Sequence, residues 1–343
     1  MSALAEQPTA TPEPEAARRA GSLFRAEVHR FAARRFIQVL LGLAVLGWLA
    51  AVVLGLLNFG EPTDADYAAA RERMDEVIAS EQEWRELCRQ DAEQAGDPVE
   101  QVCGPPLDTS TWRVEDYLTT APFDLAMAGE AGAMGFAAAA AVLAFLVGAT
   151  WIGAEWSHRT IVALLFWVPS RLRVMATKIG VLALAALVIG VAAQVAWLVM
   201  GWILRTFVGT DAPLPAGFWS ELLAAQGRAI LLVVLIALIG FGLANLVRNT
   251  GAALGVGFVY FAIVENALRI YDPMLERWLL STNAGALVVP GGLRVFDYSA
   301  MGPGTTEPPS YLVTNLQGGL VVGAFAAVIV GVGVWLFARR DLH

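Results

Sequence analysis

Residues 153–178 read GAEWSHRTIVALLFWVPSRLRVMATK and lie between two long apolar stretches. The apolar run inside them, Ile161 to Val168, makes about 12 Å of helix, whereas a bilayer core is about 30 Å thick. It is too short to cross. Glu155, His158 and Arg159 precede it, Pro169 follows it, and Arg171, Arg173 and Lys178 lead into the next apolar stretch. Proline penalises helix continuation, and Ser170 is a good cap for a new helix. The spacing predicts a helix end, a short apolar helix, a break, and a second helix. Glu155 and Arg159 stand one turn apart and can pair. The basic residues suit the height of anionic head groups. An apolar helix on a membrane surface needs cover, from lipid, from a groove on a partner or from the chain's own helix at 24–36, and Ile161, Leu164, Leu165 and Val168 form the face to be covered.

The stretches around it define the class. The chain has 343 residues, 57% hydrophobic and 16% charged, with mean hydropathy +0.58. Soluble domains carry about 25% charged residues, so this composition is that of a polytopic membrane protein. Six segments are long and apolar enough to span: 36–59, 131–153, 179–206, 226–247, 250–271 and 317–338. The first is too long for a cleaved signal peptide and reads as a true span. Residues 1–17, rich in Pro, Ala and Glu, read as a disordered tail.

Orientation follows from the basic residues. With both termini inside, 13 of the 23 fall on short cytoplasmic segments, from Arg18 and Arg19 to Arg339 and Arg340. The inverted arrangement would place five there: Arg205, Arg228, Arg269, Arg277 and Arg294. The positive-inside rule therefore gives an all-α, six-span protein, N-in and C-in, with 61–130 and 272–316 outside.

Segment 61–130 holds 18 of the 31 acids. It reads as a helical exoplasmic insertion between spans one and two, capped by Thr63 or Asp64 and stopped by Gly96 and Pro98. Tyr67, Met74, Val77, Trp84, Leu87 and Cys88 share a stripe, which predicts a packed face. Cys88 and Cys103, the only cysteines, both lie here. An oxidising compartment favours a disulfide between them, although two independent thiols also fit the spacing. Segment 272–316, broken by Asn283, Gly285 and Pro290, reads as a short interfacial or re-entrant helix pair.

Catalytic patterns are missing. His29, His158 and His343 are scattered without ligand spacing, so no metal site is expected. Ser157 and His158 have no carboxylate orienter near them. The single lysine, Lys178, follows Thr177 and precedes Ile179, so no Walker phosphate loop exists and this chain does not hydrolyse ATP alone. No basic patch or motif for nucleic acid is present. Polar residues within spans are costly and informative. Glu265 with Arg269 is either an interfacial pair or part of a substrate path. Gln194 and Asn245 either bond helix to helix or line that path, for which Asn266 is a further candidate.

The run Glu155, Thr160, Leu164, Leu165, Pro169, Ser170, Arg171, Lys178 resembles the cytoplasmic segment of ABC-2-type permeases, the membrane subunits of ATP-binding-cassette exporters. FRAEVHRFAARRF (24–36) looks like their amphipathic elbow helix, with Arg25, Glu27, Arg30, Arg34 and Arg35 between apolar Phe24, Val28, Phe31 and Phe36. GLANLVRNTGAALGVG (242–257) is similar to their hairpin between spans four and five, and FARRDL (337–342) to their usual ending. The resemblance implies a type V exporter-like fold, an elbow helix at 18–35, and a coupling helix at 155–170 seated in a groove of an ATPase. It implies two ATPase copies holding ATP and magnesium, and a homodimer or heterodimer with a second permease subunit. Its substrate would be hydrophobic or amphipathic: lipid, peptide, drug or antibiotic. Arginine over lysine and heavy Ala/Gly usage suit a bacterial plasma membrane. The acidic loop 61–130 departs from many members, and it leaves a second reading: a signalling or assembly protein that binds a ligand or partner there without transporting anything.

Overall fold

The computed structural model describes the backbone of residues 13–105, 107–297 and 308–339, with their side chains except those of 13–22 and Val162. Its elements are α1 (Glu13–Ala32), α2 (Arg35–Asn58), α3 (Asp64–Ala95), α4 (Val99–Val102), α5 (Leu125–Ser157), α6 (Thr160–Trp167), α7 (Arg171–Val208), α8 (Phe218–Val247), α9 (Thr250–Val259), α10 (Glu265–Tyr271), α11 (Leu280–Val288), β1 (Leu293–Phe296), β2 (Ser310–Val313) and α12 (Asn315–Arg339). Six described helices are long and apolar enough to cross a membrane: α2, α5, α7, α8, the α9–α10 segment Thr250–Tyr271, and α12. The chain is a helical multi-pass membrane protein. Observed helices outrun the apolar runs that predicted them. For example, α5 begins at Leu125 and α8 at Phe218. Helix α1 begins at Glu13, so 13–17 are helical where a disordered tail was expected. Residues 1–12 and Arg340 lie outside the described residues.

Two compact units are present, one of Met1–Trp48, Met127–Val199 and Pro215–His343, the other of Leu49–Ala126 and Met200–Leu214. The larger has its main core around Trp151, Ile152, Ile161, Met175, Leu182 and Phe241. Its helices approach closely because small residues let them, which is the means of association left when lipid is as apolar as leucine. A Cβ on Gly240 would lie 2.5 Å from the Phe145 carbonyl oxygen, and one on Gly242 2.7 Å from Ile329 Cγ2. Helix α8 is thus pinned to α5 and to α12 through glycine. Between α8 and α9 the turn uses Arg248 in a left-handed conformation (φ 55°) and Asn249, whose Oδ1 accepts the Ala252 N–H at 3.0 Å. The fifth span is not one regular helix: a π-helical turn, Tyr260–Val264, separates α9 from α10.

Segment 272–316 holds more than the expected helix pair, since a ribbon follows it. Among its described residues are the helical turn Pro273–Trp278, the short helix α11, and then an antiparallel ribbon pairing Leu293 with Val313 and Phe296 with Ser310. Residues 298–307 of this segment lie outside the described residues. Asn315 Nδ2 donates to the carbonyls of Ala286 and Val289, both at 2.7 Å, tying the end of α11 to the start of α12.

The smaller unit is organised by α3. Thr63 and Asp66 form a reciprocal capping box at its start, and Gly96 (φ 78°) ends it in the left-handed conformation. Cys88 and Cys103 form a disulfide that ties α3 to the end of α4. Arg85 donates to the carbonyl of Pro105, and Arg73 to that of Tyr117. Of the predicted stripe, Tyr67, Met74 and Cys88 are half-buried while Val77, Trp84 and Leu87 are exposed; the fully buried residues of α3 are Ala70 and Ala92.

Candidate functional site

Helix α1, the end of α5, α6, the start of α7 and the end of α12 meet at one end of the larger unit. The contact is built around Lys178, a residue with no exposure at all. Its Nζ lies 2.7 Å from Glu27 Oε2, and 2.9 and 2.8 Å from the two carboxylate oxygens of Glu155. Both acids are buried, Glu27 to 1% and Glu155 to 4%. Arg34 donates to Glu155 Oε1 at 3.0 Å, and Arg30 to Glu27 Oε1 at 3.2 Å from a half-exposed position. Lys178 Nζ also stands 5.1 Å over the ring of Trp151. Every charge here has a partner of opposite sign, the condition under which buried ions persist. The cluster joins α1, α5 and α7, elements 151 residues apart in the chain.

Two expectations change. Glu155 does not pair with Arg159. It points across to Lys178 and Arg34, while Arg159 is exposed in a left-handed conformation (φ 54°) where α5 turns into α6. The inward face of α1, expected as an amphipathic elbow, is not apolar throughout. Glu27 and Phe31 face the core, Phe31 edge-on to Trp151 at 5.2 Å, whereas Phe24, Val28 and Phe36 are exposed along with Arg25 and Arg35.

The short helix α6 spans Thr160–Trp167, and Glu155 to Ser157 belong to the last turn of α5. Thr160 Oγ1 donates to the Glu155 carbonyl at 3.4 Å across the turn. The face expected to meet a partner is turned inward: Ile161 and Leu164 are buried, and Leu165 packs against the same core. The outward face is instead Phe166 and Trp167, 86% and 87% exposed. Pro169 and Ser170 are exposed at the break, and Val174 N–H bonds the Ser170 carbonyl to open α7. The sequence left open whether a partner or this chain's own N-terminal helix covers that stripe. On a helix apolar all round, only the identity of the neighbours decides which side is buried.

Arg171 donates to the carbonyls of Phe337 and Ala338, at 3.2 and 3.4 Å, and so caps the end of α12. Trp156 donates to Asn245 Oδ1 at 3.0 Å, stacks edge-on with Phe337 at 5.8 Å, and lies under the Arg248 guanidinium at 4.7 Å. All four stretches singled out in the sequence therefore meet here. Trp156 was not singled out; its place one residue after Glu155 was the available signal.

The polar span residues other than Asn245 lie elsewhere. Gln194 Nε2 donates to the Ala133 carbonyl at 3.2 Å, and Asn245 takes the Trp156 bond, so both join helix to helix. Glu265 is buried and accepts the Ser281 N–H at 3.0 Å, with Arg269 at 3.5 Å. Arg269 in turn reaches Glu276 at 3.3 Å, beside a cleft of about 370 Å³ lined by Pro273, Arg294 and Phe296. Asn266 is exposed and donates to the Phe261 and Ala262 carbonyls of the π-helical turn. Compared with known protein families, curated proteins and solved structures, the chain matches none.

Proposed function

We propose that this chain is the permease subunit of an ATP-binding-cassette exporter, driven by two copies of a separate ATPase subunit. One observation carries the reading. Helix α6 is fixed to the bundle by Ile161 and Leu164 and held beside the elbow by the Lys178 cluster, yet it presents two large aromatic side chains, Phe166 and Trp167, almost fully exposed. Aromatic residues on a rigid element are the residue type that anchors protein interfaces. A helix so anchored transmits a push, because its displacement must drag α1, α5 and α7 with it. The resemblance of 155–178, 24–36, 242–257 and 337–342 to ABC-2-type permeases supplies the identity of the partner.

In this reading both termini and α6 are cytoplasmic, segments 61–130 and 272–316 are outside, and two permease subunits pair in a bacterial plasma membrane. The substrate is hydrophobic or amphipathic. The disulfide in 61–130 supports that side as the oxidising one.

The decisive variants are Phe166→Ser and Trp167→Ser, not reversals at Glu155, whose burial would make loss of activity a folding defect. The doubly substituted protein is expected to fold with the wild-type melting temperature and to lose copurification of the ATPase subunit that this reading requires. Undiminished copurification and transport-stimulated ATP hydrolysis in that variant would refute the reading.

A further inference from the structure

The acidic unit carries a groove that the transport reading leaves without a role. It runs along one side of α3, from Trp84 to Ala95, about 16 Å at the helical rise. Trp84, Leu87, Cys88, Asp91, Ala92 and Ala95 line it from α3, with Asp97 and Val102 opposite, around about 500 Å³. That volume falls within the range of sites that hold a ligand. The floor is closed, since Ala92 is 3% exposed and Cys88 is bonded to Cys103. The walls are open and apolar: Trp84 is 52% exposed, and Leu87 and Val102 are each 55% exposed. Exposed apolar residues grouped in a concave site, with polar ones at the rim, mark an interaction surface.

Charge selects the occupant. Segment 61–130 holds 18 acids against five arginines. Four of those arginines are already engaged: Arg73 with the Tyr117 carbonyl, Arg85 with Glu81, Arg89 with Glu86 and Glu93, and Arg113 with Glu115. At the rim, Asp91 and Asp97 form no ion pair among the described residues. A second copy would bring the same acids to the contact, and anionic lipid head groups would be repelled likewise. A cationic partner meets both features at once. The disulfide holds the two walls in place before binding, which lowers the ordering cost of association.

We propose that this groove binds a basic amphipathic peptide segment. Its apolar side chains pack on Trp84, Leu87 and Val102, and its Lys or Arg residues face Asp91 and Asp97.

The test uses the full-length protein in phosphatidylcholine nanodiscs, with the disulfide intact. The probe is a fluorescent leucine–lysine peptide patterned as one amphipathic helix, and its control has glutamate at every lysine. Anisotropy above empty discs is expected for the lysine peptide only, weakening as salt rises through the range that screens exposed charges. Trp84→Ser with Leu87→Ser is expected to weaken binding about tenfold or more, as loss of interface anchors does. Asp91→Asn with Asp97→Asn is expected to remove most of the salt dependence. Glu86→Gln with Glu93→Gln, on the opposite side of α3, keeps the affinity while making the same charge change. A photoreactive leucine analogue in the peptide's apolar face, used with the unsubstituted protein, is expected to label 84–102, which separates lost binding from lost folding. Equal binding of both peptides, labelling outside 84–102, unchanged affinity in the Trp84/Leu87 variant, or crosslinks joining two copies through the groove would each overturn the proposal. Its outcome is independent of whether the ATPase copurifies.

Discussion

Lys178 is the only lysine in the chain and is entirely buried between two carboxylates. Removing one member of such a cluster leaves charge without a partner, a loss of about 3–5 kcal/mol, whereas removing opposite charges together is milder. Lys178→Met is therefore expected to unfold the larger unit readily, and Lys178→Met with Glu27→Gln and Glu155→Gln to recover much of the stability, as read from thermal unfolding in detergent. Sequence reasoning placed Lys178 and Glu155 in one segment but could not pair them. The third member, Glu27, lies 151 residues from Lys178, and nothing in the local spacing encodes that contact. On the exposed side of α3, Glu86 is held at about 2, below its ordinary 4.5, first by its hydrogen bonds from Arg89 and then by Gln90. A depressed carboxylate favours the folded state above its ordinary value and loses that contribution as pH falls toward 2. Acid titration of the helical signal is expected to show α3 losing helicity in this window, with Glu86→Gln removing only part of the change because the Asp66 cap, also depressed by its bonds to Thr63, titrates there too.

Among elements, spans were the most legible because length and apolarity alone define them. The ribbon was not, since Leu293–Phe296 and Ser310–Val313 are four residues each, too few for a period of two to stand out. Which glycines matter was equally hidden. Gly47 meets nothing within 4 Å, while Gly240 abuts the α5 backbone, yet in sequence both are glycines within apolar helices. Overpacking a close crossing costs about 1–3 kcal/mol. Gly240→Ala is accordingly expected to lower the melting temperature, and Gly47→Ala to leave it unchanged. The disulfide closes a separation of 15 residues, for which loop entropy gives about 3 kcal/mol. Cys88→Ser with Cys103→Ser is expected to expose 96–105 to limited proteolysis without disturbing the spans.

For the molecule as a whole, the six spans read from the sequence are the six helices found, but their orientation rests on counting charges. Single cysteines placed at Trp167 and at Glu100, each in a background where both native cysteines are serine, test it. A membrane-impermeant thiol reagent applied to intact cells is expected to label the latter and spare the former. The π-helical turn Tyr260–Val264 bears on how this architecture can vary in length. Such a turn accommodates one residue more than the α-helical ladder requires. Excising a residue anywhere else in a span rotates all that follows by about 100°, from 3.6 residues per turn. Excising Ile263 would instead let the fifth span relax into continuous α-helix with Glu265 still facing Ser281. Natural length variants of this span would then be tolerated at this turn and hardly anywhere else along it, making it a point where insertions and deletions can accumulate without disturbing the bundle.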